Sequence, residues 1–143
     1  MISAPIIHPP ILSALAAAGH KSTIMIADAH FAAATTAGRR ATVAYLNFTE
    51  GTPLTSDVLA TLMQMVPFER YTSMVTPDGF HSPVSAEVEA LLGSDVPHDL
   101  LEREEFYDLI RGDDLILCIV TGDTRRFANV LVTVGVNTRS TVS

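Results

Sequence analysis

Two histidines and a carboxylate bracket a short apolar run in the stretch "GHKSTIMIADAH", residues 19–30. Imidazole is the side chain whose ordinary pKa, about 6.5, lets it give and take protons at neutral pH. His20 follows Gly19 directly, and two readings of it stand side by side. In one, it seats an imidazolium at the negative end of a preceding helix, an arrangement worth about 0.3–1 kcal/mol. In the other it is an acid/base group that meets Asp28, which requires the chain around Lys21 to bend back. Asp28 and His30 alternate along the chain. On an extended segment both would point to one face, which suits a metal ion or a hydrogen-bonded Asp–His pair. No third ligand stands at a recognisable spacing. His8, His81 and His98 read as solvated loop residues near prolines. Arg103–Tyr107, "REEFY", reads as a helix face with an aromatic anchor, and Arg125-Arg126 as a solvated turn. Asn129 follows that turn and opens an apolar run, so its amide needs partners if buried, and ligand binding stands beside a turn role.

The elements that must carry these groups follow from periodicity and punctuation. Pro9 and Pro10 lead a helix through "ILSALAAAG", with Ile11, Leu12 and Leu15 at helical spacing and Gly19 as its stop. Residues 22–27 form a strand of buried type, and Asp28 stands at its end. "FAAATTAG" reads as a loop long enough to fold over a site, and "RRATVAYLNF" as a second strand. "LTSDVLATLMQMV" predicts a helix, "RYTSMV" a strand closed by a Pro-Asp-Gly turn, and "HSPVSAEVEALLG" a helix with Ser82 as N-cap and Pro83 at its first position. "LLEREEFYDLI" is a helix or a strand-to-helix join. "DLILCIVTG" and "ANVLVTVGV" are apolar strands joined by the charged turn "DTRRF", so the C-terminal part reads as a hairpin. Helices interspersed with buried-type strands predict an α/β class: one domain over residues 1–143, a central sheet with helices packed on it. Ligands in such folds sit beyond the carboxyl ends of strands, where Asp28 and His30 fall.

Composition narrows the function. The chain has 143 residues, nine Lys and Arg against sixteen Asp and Glu, and a net charge of −7, which argues against nucleic acid as a partner. Its 48% apolar content is high for a soluble monomer and points to subunit contacts. The one cysteine, Cys118, lies in "LILCIV" and reads as a small buried apolar residue in a reducing compartment. The apolar run near the start is too short to span a bilayer and has no cationic segment before it, so the expectation is a cytoplasmic protein with no membrane partner. Glycine-rich phosphate loops, dinucleotide fingerprints, serine-hydrolase elbows and zinc-protease motifs are all absent from the sequence.

Three segments taken in order, "LAAAGHKSTIMIADAHF", "REEFYDLI" and "IVTGDTRRFANVLVTVGV", resemble the D-ribose pyranase and L-fucose mutarotase family of sugar-anomer-converting proteins. "DAHF" and the Arg-x-x-Phe-Tyr pattern are closer to the fucose branch. The resemblance implies a three-layer α/β/α fold around a mixed sheet and a cofactor-free carbohydrate isomerase without a metal. It implies His20 as the catalytic acid/base, with Asp28, Arg103, Phe127 and Asn129 contacting the monosaccharide. It also implies a homo-oligomeric ring, commonly a decamer, with the site in a cleft between subunits. One position departs from the pattern: Phe127 stands where the family has the Tyr of Tyr-x-Asn, so a phenolic hydroxyl is missing. That departure keeps open a non-catalytic sugar-binding or regulatory protein. A metal-dependent isomerase using His20, Asp28 and His30 is a third reading.

Overall fold

The computed structural model describes residues 1–138. In chain order the elements are α1 (Pro9–Ala17), β1 (Thr23–Ala27), α2 (Ala33–Thr36), β2 (Thr42–Tyr45), α3 (Thr55–Met63), β3 (Phe68–Met74), α4 (Pro83–Leu92), β4 (His98–Leu101), α5 (Arg103–Arg111), β5 (Leu115–Val120) and β6 (Val130–Val134). The strands make one sheet in the order β2-β5-β1-β6-β3-β4. β1, β2 and β5 run parallel to one another, β3 and β4 likewise, and β6 runs antiparallel to both β1 and β3. Every strand except β6 therefore ends on the same edge of the sheet. β6 begins on that edge.

Side-chain alternation along the central strands divides the core into two faces. Ile24 and Ile26 of β1, Leu117 and Ile119 of β5, and Val130 and Val132 of β6 pack with Ile11 of α1, Leu59 and Leu62 of α3, and Val84 and Val88 of α4. Met25, Ala27, Cys118 and Val120 face the other way, against Ala33 of α2 and Phe106 and Ile110 of α5. The result is the three-layer α/β/α arrangement. Strands covered on both faces read as unbroken apolar runs, which is why β1 and β5 show no polar alternation in sequence. No helix among the described residues is long and apolar enough to cross a membrane.

Two local expectations change, and one choice between alternatives closes. "FAAATTAG" is not all loop: α2 forms in it, and Ala33 is buried against α5. The run around Arg103 is the strand-to-helix join, with β4 ending at Leu101 and α5 starting at Arg103. The C-terminal strands do not form a hairpin. β1 is inserted between β5 and β6 and pairs with each, so the loop joining them crosses over the carboxyl end of β1. β1 is apolar on both faces, and between the two C-terminal strands its residues Ile24, Met25, Ile26 and Ala27 are fully buried.

Cys118 is fully buried, and burial pushes its thiol up to about 12. A thiol held protonated and out of solvent neither attacks nor is attacked. The folded protein is therefore expected to give no colour with a disulfide reagent such as DTNB, and one equivalent on unfolding in urea. Rapid labelling of the native protein would contradict the burial.

Candidate functional site

β1 stops at Ala27, and the chain turns at once. The Asp28 carboxylate accepts from the backbone N–H of His30 at 2.9 Å, an Asx-type turn that ends the strand. Asp28 and His30 are thus not on an extended segment and do not share a face as alternation predicts. His30 instead places its ring Nε2 3.1 Å from the Thr124 carbonyl. Among the described residues no three His, Cys, Asp or Glu side chains come together as metal ligands.

Asn129 comes to Asp28 from the start of β6. Its Nδ2 donates to Asp28 Oδ2 at 2.9 Å, and its Oδ1 accepts from the Asp28 backbone N–H at 2.8 Å. The two side chains, 101 residues apart, form a closed reciprocal pair because β6 runs antiparallel beside β1, with Ile26 opposite Val130. Asp28 is buried, and that burial raises its pKa above the ordinary carboxylate value, against the lowering effect of the His30 N–H and the Asn129 amide. Two hydrogen bonds thus hold the orientation of a carboxylate whose charge is incompletely stabilised.

The crossing loop, residues 121–129, supports the pair from beneath. Thr121 Oγ1 donates to the Ala27 carbonyl at 2.8 Å, and the Ala29 N–H donates to the Asp123 carbonyl at 2.8 Å. Asp123, fully buried, accepts from the Thr55 N–H at the start of α3 (3.1 Å) and from the backbone, Nε and Nη2 of Arg125 (3.1, 3.0 and 2.8 Å). Arg125 reaches on to Glu87 of α4 at 2.8 Å. Burial pushes the Asp123 carboxyl up, but its bonds from Arg125 and Thr55 together outweigh that and hold it below the ordinary range. Arg125 is therefore no solvated turn residue; it ties the loop to two helices. Gly122 is required here, since a Cβ would collide with the Thr49 and Thr52 carbonyls. The sequence marks this cluster only as "TGDTR", and nothing in that string says its acid is buried.

Arg103 opens α5 on the same edge, exposed, with its guanidinium 5.3 Å from the Tyr107 ring centre. Tyr107 packs against Phe31 at 5.8 Å, so Arg103 is tied to the turn that carries Asp28. Phe127, half-buried, sits at φ +59°, a left-handed conformation that costs a non-glycine residue about 1 kcal/mol or more. Its ring lies 5.3 Å from Phe80, and the Arg126 guanidinium lies 5.4 and 5.5 Å from the two rings. Asp28, Arg103, Phe127 and Asn129 thus all stand at the carboxyl edge of the sheet.

His20 does not. It precedes β1, whose five residues span about 16 Å at the rise of a strand, and lies at the opposite, amino edge. The chain does bend at Lys21, with φ +77°, yet it turns His20 to Glu69 of β3, 2.9 Å away, and not to Asp28. Nor does His20 cap α1, which ends at Ala17 with the Ala18 N–H on the Leu15 carbonyl. It opens onto a groove shared with Ser22, Arg40, Asp113 and Asp114.

The family model for the RbsD / FucU transport protein family matches residues 1–137. The chain belongs to that family. Among solved structures, RbsD of Bacillus subtilis complexed with D-ribose is 25% identical and superposes with a TM-score of 0.83, covering 96% of this chain and 99% of its own. The fucose mutarotase of Streptococcus pneumoniae in complex with L-fucose is 20% identical, with a TM-score of 0.80 over 96% and 99%. FucU of Bifidobacterium longum is 23% identical, with a TM-score of 0.78 over 92% and 96%. The last two, at this identity, establish the shared fold. No match is found among curated proteins. In this RbsD / FucU member the Asp28–Asn129 pair joins the inner strands β1 and β6, with Phe127 two residues before Asn129.

Proposed function

We propose that this RbsD / FucU protein is a cofactor-free sugar mutarotase or pyranase whose site is completed between two copies of the chain. The observation that carries the reading is the split of its polar groups: a buried Asp28–Asn129 pair at one edge of the sheet and His20 at the other. One copy supplies Asp28, Asn129, Arg103 and Phe127, and a neighbour supplies His20. A homo-oligomeric ring such as a decamer, in the cytoplasm, satisfies that geometry for every subunit. Exposed apolar side chains at the sheet margins, Tyr45, Phe48, Val75 and Leu100, are the surface such contacts would cover.

The chemistry asks little beyond this set. His20 takes the proton of the anomeric hydroxyl as the C1–O bond to the ring oxygen breaks and C1 becomes an aldehyde. The ring oxygen receives the electron pair and a proton returned from the imidazolium. Rotation about C1–C2 and the reverse transfers close the other anomer, or a furanose. Asp28 and the Asn129 amide fix sugar hydroxyls, and Arg103 adds a two-pronged donor. Arg103 and "DAHF" support a pyranose of the L-fucose type as substrate, and the Phe80–Phe127 pair offers an apolar wall to its methyl carbon.

Saturation-transfer NMR on a panel of L-fucose, D-ribose and D-galactose tests the proposal. The wild type is expected to speed anomer exchange of at least one sugar, and His20→Ala to lower that rate by about 10²–10⁴-fold with the fold intact. Absence of acceleration for the whole panel would sink the enzyme reading. Binding without acceleration would favour the second reading, a sugar-binding protein, for which the missing hydroxyl at Phe127 speaks; partial gain of rate in Phe127→Tyr would then follow.

A further inference from the structure

Glu69 has no place in the site as read from sequence, yet several unusual features of the backbone converge on it. β3 is irregular where it pairs with β6: Phe68 lies opposite Val134 and Arg70 opposite Thr133, so Glu69 is the extra residue of a bulge. Bulges re-aim a side chain, and they concentrate beside functional sites. Gly135 lies against it, with room for a Cβ only 3.3 Å from the Glu69 Cβ. Across the same gap Lys21 adopts φ +77°, rare for a side chain of its size. Its backbone N–H is fixed on the Val134 carbonyl at 3.0 Å, and the Val134 N–H on the Ser22 carbonyl at 2.8 Å.

These distortions share one outcome. The Glu69 carboxylate is divided between two neighbours, Oε1 to the Lys21 ammonium and Oε2 to His20 Nε2 at 2.9 Å. From these contacts we infer that Glu69 is a positioning residue: it accepts the Nε2–H of His20, holds the ring in one tautomer and orientation, and leaves Nδ1 as the nitrogen that meets the sugar. The inference rests on the mutarotase reading for its consequence, though not for its geometry. A neutral imidazole carries one proton, so a carboxylate fixed on Nε2 makes Nδ1 the free acceptor. Nδ1 then takes the proton of the anomeric hydroxyl, and the imidazolium so formed stays opposite the Glu69 charge until Nδ1 returns the proton to the ring oxygen. Lys21 first and His20 second hold the Glu69 carboxyl below its ordinary pKa, so it is an acceptor throughout the range in which a neutral histidine works. The strained Lys21 turn places the Lys21 ammonium and the His20 ring on one carboxylate.

The test uses the full chain with ¹⁵N-labelled histidine. The neutral His20 ring of the wild type is expected to show the single Nε2–H tautomer in its ring-nitrogen shifts. Glu69→Gln, which can donate as well as accept, is expected to mix the tautomers and lower the maximal exchange rate by about ten- to hundredfold with an unchanged half-saturating sugar concentration. Glu69→Ala should do the same, and Glu69→Asp should restore part of the rate. A single tautomer retained in Glu69→Gln, or a lost tautomer with unchanged exchange, overturns the inference. If the wild type accelerates no sugar, the proposed function falls, and the tautomer measurement still decides whether Glu69 holds His20.

Discussion

Co-expressed in equal amounts, His20→Ala and Asp28→Ala chains, each inactive alone, are expected to recover about one quarter of wild-type anomer exchange. His20 and Asp28 lie beyond opposite ends of β1 and face opposite edges of the sheet, and no bend in residues 21–27 brings them together. In a ring of head-to-tail contacts, each site takes His20 from one chain and Asp28 from the next. When two variant chains mix at random, a site is intact if its His20 donor carries the Asp28 change and its Asp28 donor carries the His20 change, about one site in four. A site built within one chain would recover nothing, because every chain would lack one group. Saturation-transfer NMR on the mixture, against each variant alone, separates the two cases. Zero recovery with correctly assembled, mixed oligomers would refute the shared site.

The second large effect is on stability. Asp123→Ala is expected to destabilise the fold by about 3 kcal/mol at neutral pH, read as a shift in urea midpoint. Asp123 is fully buried and takes four hydrogen bonds, one from the first turn of α3 and three from Arg125. Its removal strands the Thr55 N–H and leaves Arg125 with Glu87 alone, and an unpartnered buried donor costs about 1–3 kcal/mol by itself. Arg125 keeps one partner and part of its hydration, which holds the total at the low end for a broken buried pair. The pH dependence has a definite sign. The Asp123 carboxyl lies below its ordinary value of 3.8 in the folded state, so its contribution is present above that value and fades as pH falls through the folded one. The gap between wild type and Asp123→Ala should therefore be full at pH 7 and narrow in strong acid. A gap that is constant across pH would mean that packing, not charge, makes the contribution. The same loop carries Asn129, so the variant should also lose exchange activity out of proportion to its stability.

What the sequence determined by itself were most of the elements and the candidate groups for chemistry. The helix begins at Pro9, the strand ends at Ala27, and Ser82 precedes a helix that opens on Pro83, because prolines, glycines and buried runs act within a few residues of themselves. His20, Asp28, Arg103, Phe127 and Asn129 could be named because their side-chain chemistry is a local property, and the family resemblance ordered them. Where those groups sit was decided only by the tertiary structure. Strand order depends on pairings across a hundred residues, and the apolar runs of β1, β5 and β6 are compatible with a hairpin as well as with β1 inserted between the other two. That insertion sets Asn129 on Asp28, buries Asp123 beneath them and sends His20 to the far edge. Glu69 was invisible for the same reason. In sequence it is one acid in a strand, and it finds His20 only because a bulge and an antiparallel neighbour aim it there.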